Sequence, residues 1–340
     1  MKNVFIIGAG ANKEIGMPTG IELKKEIIEL LSFSSTYSEE PDSVLFDCIK
    51  RKAEKEYGEI KRYRKAAKKI YNALSQAISI DNFIDAHRGD KYIEFCAKIG
   101  IVFSILKAEK KSSLYENTSY SSNFELPEKS WYHPFFQLLI ENCNKEEFEN
   151  RLKDIGFIIF NYDRCFEHYF FKALQTYYAI SENEAGSLVN KMNIIHPYGT
   201  VGSLVFQKHD TRVPFGEEAG PYLILELTEK IKTFTESQNE ESENKKKIFD
   251  YFSDATKIIF LGFAYHKINL NLLFGDYKKD LDNNLQKPIS CYGSAYNISR
   301  DDISSIKESL NKILGESTKI KLVNKTSKSF FDYFWRSISF

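Results

Sequence analysis

No two of the five cysteines, Cys48, Cys96, Cys143, Cys165 and Cys291, stand three positions apart in the 340-residue sequence. Without a C-x-x-C pair there is no zinc ribbon, and an odd, scattered set offers no disulfide framework. Charge of one sign is missing too: 47 Lys plus Arg face 47 Asp plus Glu. Net charge therefore gives no indication of nucleic-acid or membrane-surface binding. No apolar run approaches the roughly 20 residues of a membrane span. The first apolar run, Val4 to Ile7, is too short for a signal-peptide core, so a cytoplasmic protein is expected. No internal repeat is evident.

What is present is ordinary for a globular chain: 42% hydrophobic and 28% charged residues. At this length one large domain or two modest ones can bury a substantial core. The 27 Phe and 20 Tyr are read as core filling rather than as a stacking platform. Val4 to Ile7 reads as a strand buried on both faces. It runs into Gly8-Ala9-Gly10, then Gly16-Met17-Pro18-Thr19-Gly20, and a helical pattern begins at Ile21. A strand entering a glycine turn brings backbone N–H groups close to a ligand, and phosphates suit that geometry.

Residues 34–150 read as a mostly helical module. Within it are a charged helical block from about Val44 to Ser79, a cap at Ser79, helices over Lys91–Lys111 and Trp131–Asn142, and polar loops at 32–43 and 115–129. Strand-like runs return at Phe157–Phe160, Met192–Ile195, Lys257–Leu261 and Ile289–Tyr292, with a sixth over Lys319–Val323. Residues 236–247 are charged and of low complexity, which predicts a mobile loop. The last stretch, Ser329–Phe340, reads as an aromatic-rich amphipathic helix docked on the body or on a partner.

Nearly every such run ends in glycine or polar residues, and open parallel sheets bind ligands beyond the carboxyl ends of their strands. The pattern predicts that Gly8–Asn12, Asn161–Arg164, His196–Gly199, Gly262–His266 and Gly293–Ala295 line one crevice. The turn is not a hydride-transfer fingerprint, because Lys13 stands where G-x-G-x-x-G needs its third glycine. No second strand with a ribose-binding acid follows. It is not a P-loop either, since G-K-[ST] is missing. Asn161 offers an amide that both donates and accepts, or else is only a strand-end turn. His196 has the pKa of a general base, or else is a structural histidine like any of the five others. Asp163 either orients its neighbours and favours developing positive charge, or simply pairs with Arg164 or another cation.

Taken in order, Gly8-Ala-Gly10-Ala-Asn12, Gly16-Met-Pro18-Thr19-Gly20, Phe160-Asn161-Tyr162-Asp163 and His196 with a nearby glycine resemble the sirtuin superfamily. More narrowly, they resemble the sirtuin-like NAD-hydrolase effector domains of prokaryotic anti-phage defence, with Asn12 where serine is usual and Pro-Tyr between His196 and Gly199. The resemblance also takes in Ser79–Phe83, Phe260–His266 and Gly293–Ala295. It implies one sirtuin-like catalytic domain over 1–340. This would be an α/β fold, a Rossmann-like parallel sheet flanked by helices. The helical module at 34–150 replaces the zinc module, 151–325 completes the sheet, and 326–340 is a C-terminal helix.

The implied activity is cleavage of NAD⁺ to nicotinamide and ADP-ribose as an abortive-infection effector, with NAD as substrate and no zinc. Asn161, His196 and Asp163 would be catalytic. Gly8, Ala9, Gly10 and Asn12 would hold the pyrophosphate and nearby ribose, and Gly16, Pro18 and Thr19 the nicotinamide side. Gly262 would line the crevice, and Gly293 and Ser294 would face the adenosine half. Such an enzyme must be restrained, which implies a homo-oligomer or a separately encoded partner such as a hexameric ATPase or an Argonaute-like protein. An ADP-ribosyltransferase, or a non-catalytic sensor of NAD or ADP-ribose, stays open as an alternative.

Overall fold

The structure is a computed structural model that describes residues 1–35, 44–115, 128–208, 211–237, 243–275 and 289–340. Six strands, β1 (Asn3–Ile7), β2 (Ile155–Ile159), β3 (Asn193–Ile195), β4 (Lys257–Leu261), β5 (Ser290–Ser294) and β6 (Lys319–Val323), form one sheet in the order β3-β2-β1-β4-β5-β6. Every pairing is parallel. Val4, Phe5, Ile6 and Ile7 are all fully buried, as an all-apolar strand with helices on both faces requires. Each such side chain contributes about 1.5–3 kcal/mol on burial. The register sets Ile7 beside Ile159 on one side and Leu261 on the other, so the central strands end level. This is a Rossmann-like α/β sheet, and its strand order reverses direction between β1 and β4.

Helix α1 (Gly20–Leu30) follows β1, and the helical module stands between α1 and β2. Its described residues form α2 (Val44–Lys55), α3 (Ile60–Ala73), α4 (Ile80–Ala86), α5 (Lys91–Lys111), α6 (Tyr132–Ile140) and α7 (Lys145–Leu152), with no strand among them. The expected single block over 44–79 is two helices, broken where Tyr57 takes a left-handed φ of 49° before Gly58. Ser79 caps α4 by accepting from the Asn82 N–H, as its sequence pattern predicts. The 21-residue α5 is buried around its circumference, packing on α1, α3 and α10 (Pro221–Lys230). The expected loops at 32–43 and 115–129 fall largely outside the described residues.

The remaining helices are α8 (Cys165–Tyr178) and α9 (Glu182–Asn190) after β2, then α11 (Phe234–Ser237) and α12 (Glu243–Ser253) before β4. After β4 come α13 (Lys267–Phe274), α14 (Arg300–Leu314) and α15 (Ser327–Ile338). The loop expected over 236–247 is helical at both described ends. Its acidic and lysine-rich start hides three anchors in α12, Ile248, Tyr251 and Phe252, which are buried at helical spacing, and Tyr251 lies against β2 at Gly156. The aromatics do fill the core: Phe5 packs on Phe135 at 4.8 Å between centroids, and Phe157 on Phe166 at 4.8 Å. Helix α15 docks on α6 and β5 through Phe331 near Trp131 and Phe334 near Tyr292. Among the described residues no helix is long and apolar enough to cross a membrane.

Candidate functional site

The five strand-end segments singled out in the sequence are joined by a chain of direct hydrogen bonds. The Gly262 N–H donates to Ser294 Oγ at 2.8 Å, and the Gly10 N–H to the Gly262 carbonyl at 3.0 Å. Asn12 Nδ2 donates to Asp163 Oδ1 at 2.9 Å, and the His196 ring meets the Asn161 carbonyl at 3.1 Å. The turns after β1, β2, β3, β4 and β5 therefore share one edge of the sheet.

At the β1–β4 reversal two glycine turns press together. A Cβ on Gly262 would sit 1.8 Å from the Ala11 nitrogen, and Gly262 also holds φ +55°, a region that L side chains rarely adopt. Close approach also leaves the β1 turn self-contained. The N–H groups of Gly8, Gly10, Ala11 and Asn12 donate to the carbonyls of Leu261, Gly262, Gly8 and Ala9. Three of the amides expected to hold a pyrophosphate, those of Gly8, Gly10 and Asn12, thus have protein partners.

Asn12 is a structural tie. It is 1% exposed, and while Nδ2 reaches Asp163, its Oδ1 accepts from Tyr132 Oη at 2.9 Å and Trp131 Nε1 at 3.4 Å. Asp163 also accepts from the Cys165 N–H at 3.1 Å, holding the first turn of α8. Burial pushes its carboxyl above the ordinary range, and the Cys165 and Asn12 hydrogen bonds only partly offset this. The alternative pairing of Asp163 with Arg164 is not formed. The Arg164 guanidinium turns instead to Glu109 of α5, through Nε at 3.2 Å and Nη2, while the Arg164 N–H reaches the same carboxylate at 3.0 Å. Arg164 and Glu109 are 1% and 0% exposed.

Asn161 differs from all of these. It is 3% exposed, yet neither Oδ1 nor Nδ2 has a hydrogen-bond partner among the described residues. A buried polar group left so costs about 1–3 kcal/mol, and a full amide presents two. The preceding residue, Phe160, lies 5.2 Å from Phe263 and 5.7 Å from Tyr198, centroid to centroid. Next to Asn161, His196 is held at both ring nitrogens, Nδ1 by the Asn161 carbonyl and Nε2 by Glu167 Oε1 at 2.9 Å. Burial alone would depress the imidazole, but the Glu167 charge and hydrogen bond, helped by the Asn161 carbonyl and Asp163, outweigh it. The net shift is upward. The other carboxylate oxygen of Glu167, Oε2, is buried and has no partner among the described residues.

The remaining expected contacts resolve into packing and capping. Thr19 caps α1 in a reciprocal box with Glu22, Pro18 is buried, and Gly16 ends a 3₁₀ turn over Ala11–Ile15. Gly293 and Ser294 lie within β5 rather than beyond it. A Cβ on Gly293 would meet Tyr265 Oη at 2.3 Å, and Ser294 Oγ holds the Gly262 N–H. Gly199, at φ +72°, backs onto the Lys230 carbonyl and sets the course of the His196 loop.

Two residues escaped the sequence reading, Glu109 and Glu167. The available signal was periodicity. Glu167 falls among Cys165, Phe166, Tyr169 and Phe170 on the buried side of α8, and Glu109 follows the buried Leu106 and Ala108 of α5. Among the described residues no group of three or more His, Cys, Asp or Glu could hold a metal ion. No family model, no curated protein and no solved structure matches the chain.

Proposed function

We propose that this chain is a sirtuin-like NAD⁺ glycohydrolase, cleaving NAD⁺ with water to nicotinamide and ADP-ribose. The observation that carries the reading is Asn161, a buried amide with donor and acceptor both unpartnered at the carboxyl end of β2. Such a group is explained by a ligand that supplies the missing partners, and a ribose hydroxyl or a water supplies both kinds. The strand order β3-β2-β1-β4-β5-β6 is that of dinucleotide-binding sheets, whose ligands lie at the reversal point. Asn161 stands one strand from that point.

Cleavage of the nicotinamide–ribose bond breaks C1′–N with its electron pair leaving on the nicotinamide nitrogen, which departs neutral. Asn161 holds the ribose or the attacking water, and the adjoining His196–Glu167 pair receives the proton that water releases. The rings of Phe160, Tyr198 and Phe263 limit access of further solvent. The proposal extends to the setting: a cytoplasmic anti-phage effector, restrained until self-assembly or a separately encoded partner releases it.

The test is NAD⁺ consumption by the full chain across a range of protein concentrations, with products separated. Free nicotinamide and ADP-ribose are expected, and Asn161→Ala should lower turnover at least about 100-fold. Label from NAD⁺ appearing on a macromolecule instead would make the chain a transferase. Tight NAD⁺ binding without nicotinamide release would make it a sensor.

A further inference from the structure

We propose that Glu167, through its free oxygen Oε2, is the catalytic proton acceptor, and that His196 is a positioning residue that holds it. The inference rests on the hydrolytic reading above and deepens it. The reaction NAD⁺ plus water gives nicotinamide, ADP-ribose and one proton, so an acceptor with an unengaged lone pair must stand at the strand ends.

The carboxylates and the imidazole there can be compared one by one. Asp163 Oδ1 already accepts from Asn12 and Cys165. Both oxygens of Glu109 face Arg164. Asp81 accepts from the Tyr162 hydroxyl, and no oxygen of Asp81, Asp163 or Glu109 is a buried atom without a partner among the described residues. His196 Nδ1 faces a backbone carbonyl, which can only accept, so that nitrogen carries a hydrogen. His196 Nε2 faces Glu167 Oε1, with one proton between them. With Glu167 ionised the ring is an imidazolium and has no lone pair. With the proton on Oε1 instead, that hydrogen bond occupies the Nε2 lone pair. In neither state does the imidazole offer a free acceptor.

Glu167 Oε2 does. The side chain is buried, and this oxygen has no partner among the described residues. Placement favours it as well, because Glu167 sits in the first turn of α8, where the helix dipole favours an anion. The His196 ring against Oε1 leaves the second oxygen of the same carboxylate unengaged. The only other unpartnered side-chain atoms in the Asn161–Glu167 segment are the Asn161 amide's. One segment therefore holds an amide to orient ribose or water and a carboxylate oxygen to deprotonate the water. As C1′–N breaks toward nicotinamide, the water oxygen bonds C1′, its proton passes to Oε2, and solvent takes that proton when product leaves.

Two measurements on the full chain test the assignment. Glu167→Gln keeps the side-chain volume and, through its amide N–H, a hydrogen-bond partner for the Nε2 of a neutral His196, but should lower kcat at least about 100-fold with the NAD⁺ Kd moved less than about threefold. His196→Gln should lower kcat less, by about tenfold, since Oε2 is retained and only its support is lost. Side-chain ¹H–¹⁵N spectra, with the His196 signal identified by its loss in His196→Gln, should show both ring nitrogens protonated at pH 7 in wild type. In Glu167→Gln the ring should be neutral. Wild-type turnover that survives Glu167→Gln within about threefold overturns the assignment alone, as does a neutral wild-type His196. A wild-type chain that never consumes NAD⁺ at any concentration sinks the hydrolytic reading, and the assignment with it.

Discussion

The turns after β1, β4 and β5 and the turns after β2 and β3 belong to one edge of one sheet, yet they handle their polar groups in opposite ways. On the first side backbone groups find partners within the turns: the Gly10 N–H donates to the Gly262 carbonyl, and the Gly262 N–H to Ser294 Oγ. On the second side Asn161 and Glu167 keep buried polar atoms without partners among the described residues, beside a histidine engaged at both nitrogens. Glycine motifs draw attention in a sequence, but here their glycines serve close packing. The capacity for chemistry lies with side chains one and two strands away. Folding stability should therefore reside on the first side and activity on the second.

The sharpest way to break that comparison is Gly262→Ala. A methyl placed 1.8 Å from the Ala11 nitrogen at φ +55° should destabilise the chain by at least about 4 kcal/mol, read as a lowered urea midpoint or as failure to fold. Glu109→Ala comes next. It leaves the Arg164 guanidinium buried and unpaired, at a cost of about 3–5 kcal/mol in the same measurement. Asn161→Ala should separate the two sides: its amide is buried with no partner among the described residues, at about 1–3 kcal/mol for each such group, so stability should hold or rise while NAD⁺ turnover is lost. A large loss of stability in that variant would make Asn161 structural and erase the contrast.

The smallest effect is in pH. The folded pKa of His196 is raised, so its contribution is full below the unfolded value of about 6.5 and is lost as pH rises through the folded value. Unfolding curves from pH 6 to pH 9 should show wild type losing stability that His196→Gln never had. A wild type that gains relative to the variant over that range would reverse the sign.

Legibility followed from how locally each feature is determined. The strands β1 and β4 show in the sequence because four apolar residues in a row follow Asn3 and Lys257. The shared edge was readable because the motifs end those runs. The role of each motif was not, since close approach of Gly8 and Gly10 to Gly262 depends on residues about 250 positions apart. Helix α12 was obscured by its charged first turn. Glu109 and Glu167 look in the sequence like any solvated helix glutamate, and only the packing of α5 and α8 removes them from water.

The pairing of β1 has a consequence in time. Its neighbours are residues 155–159 and 257–261, so at a synthesis rate of about 5–20 residues per second the strand waits roughly 13–50 s for its second partner. Throughout that interval Asn3–Ile7 is a strand of four consecutive apolar residues after Asn3, with at least one open edge, a ready template for pairing with other chains. The strand at the centre of the finished sheet is the most vulnerable segment of the growing one.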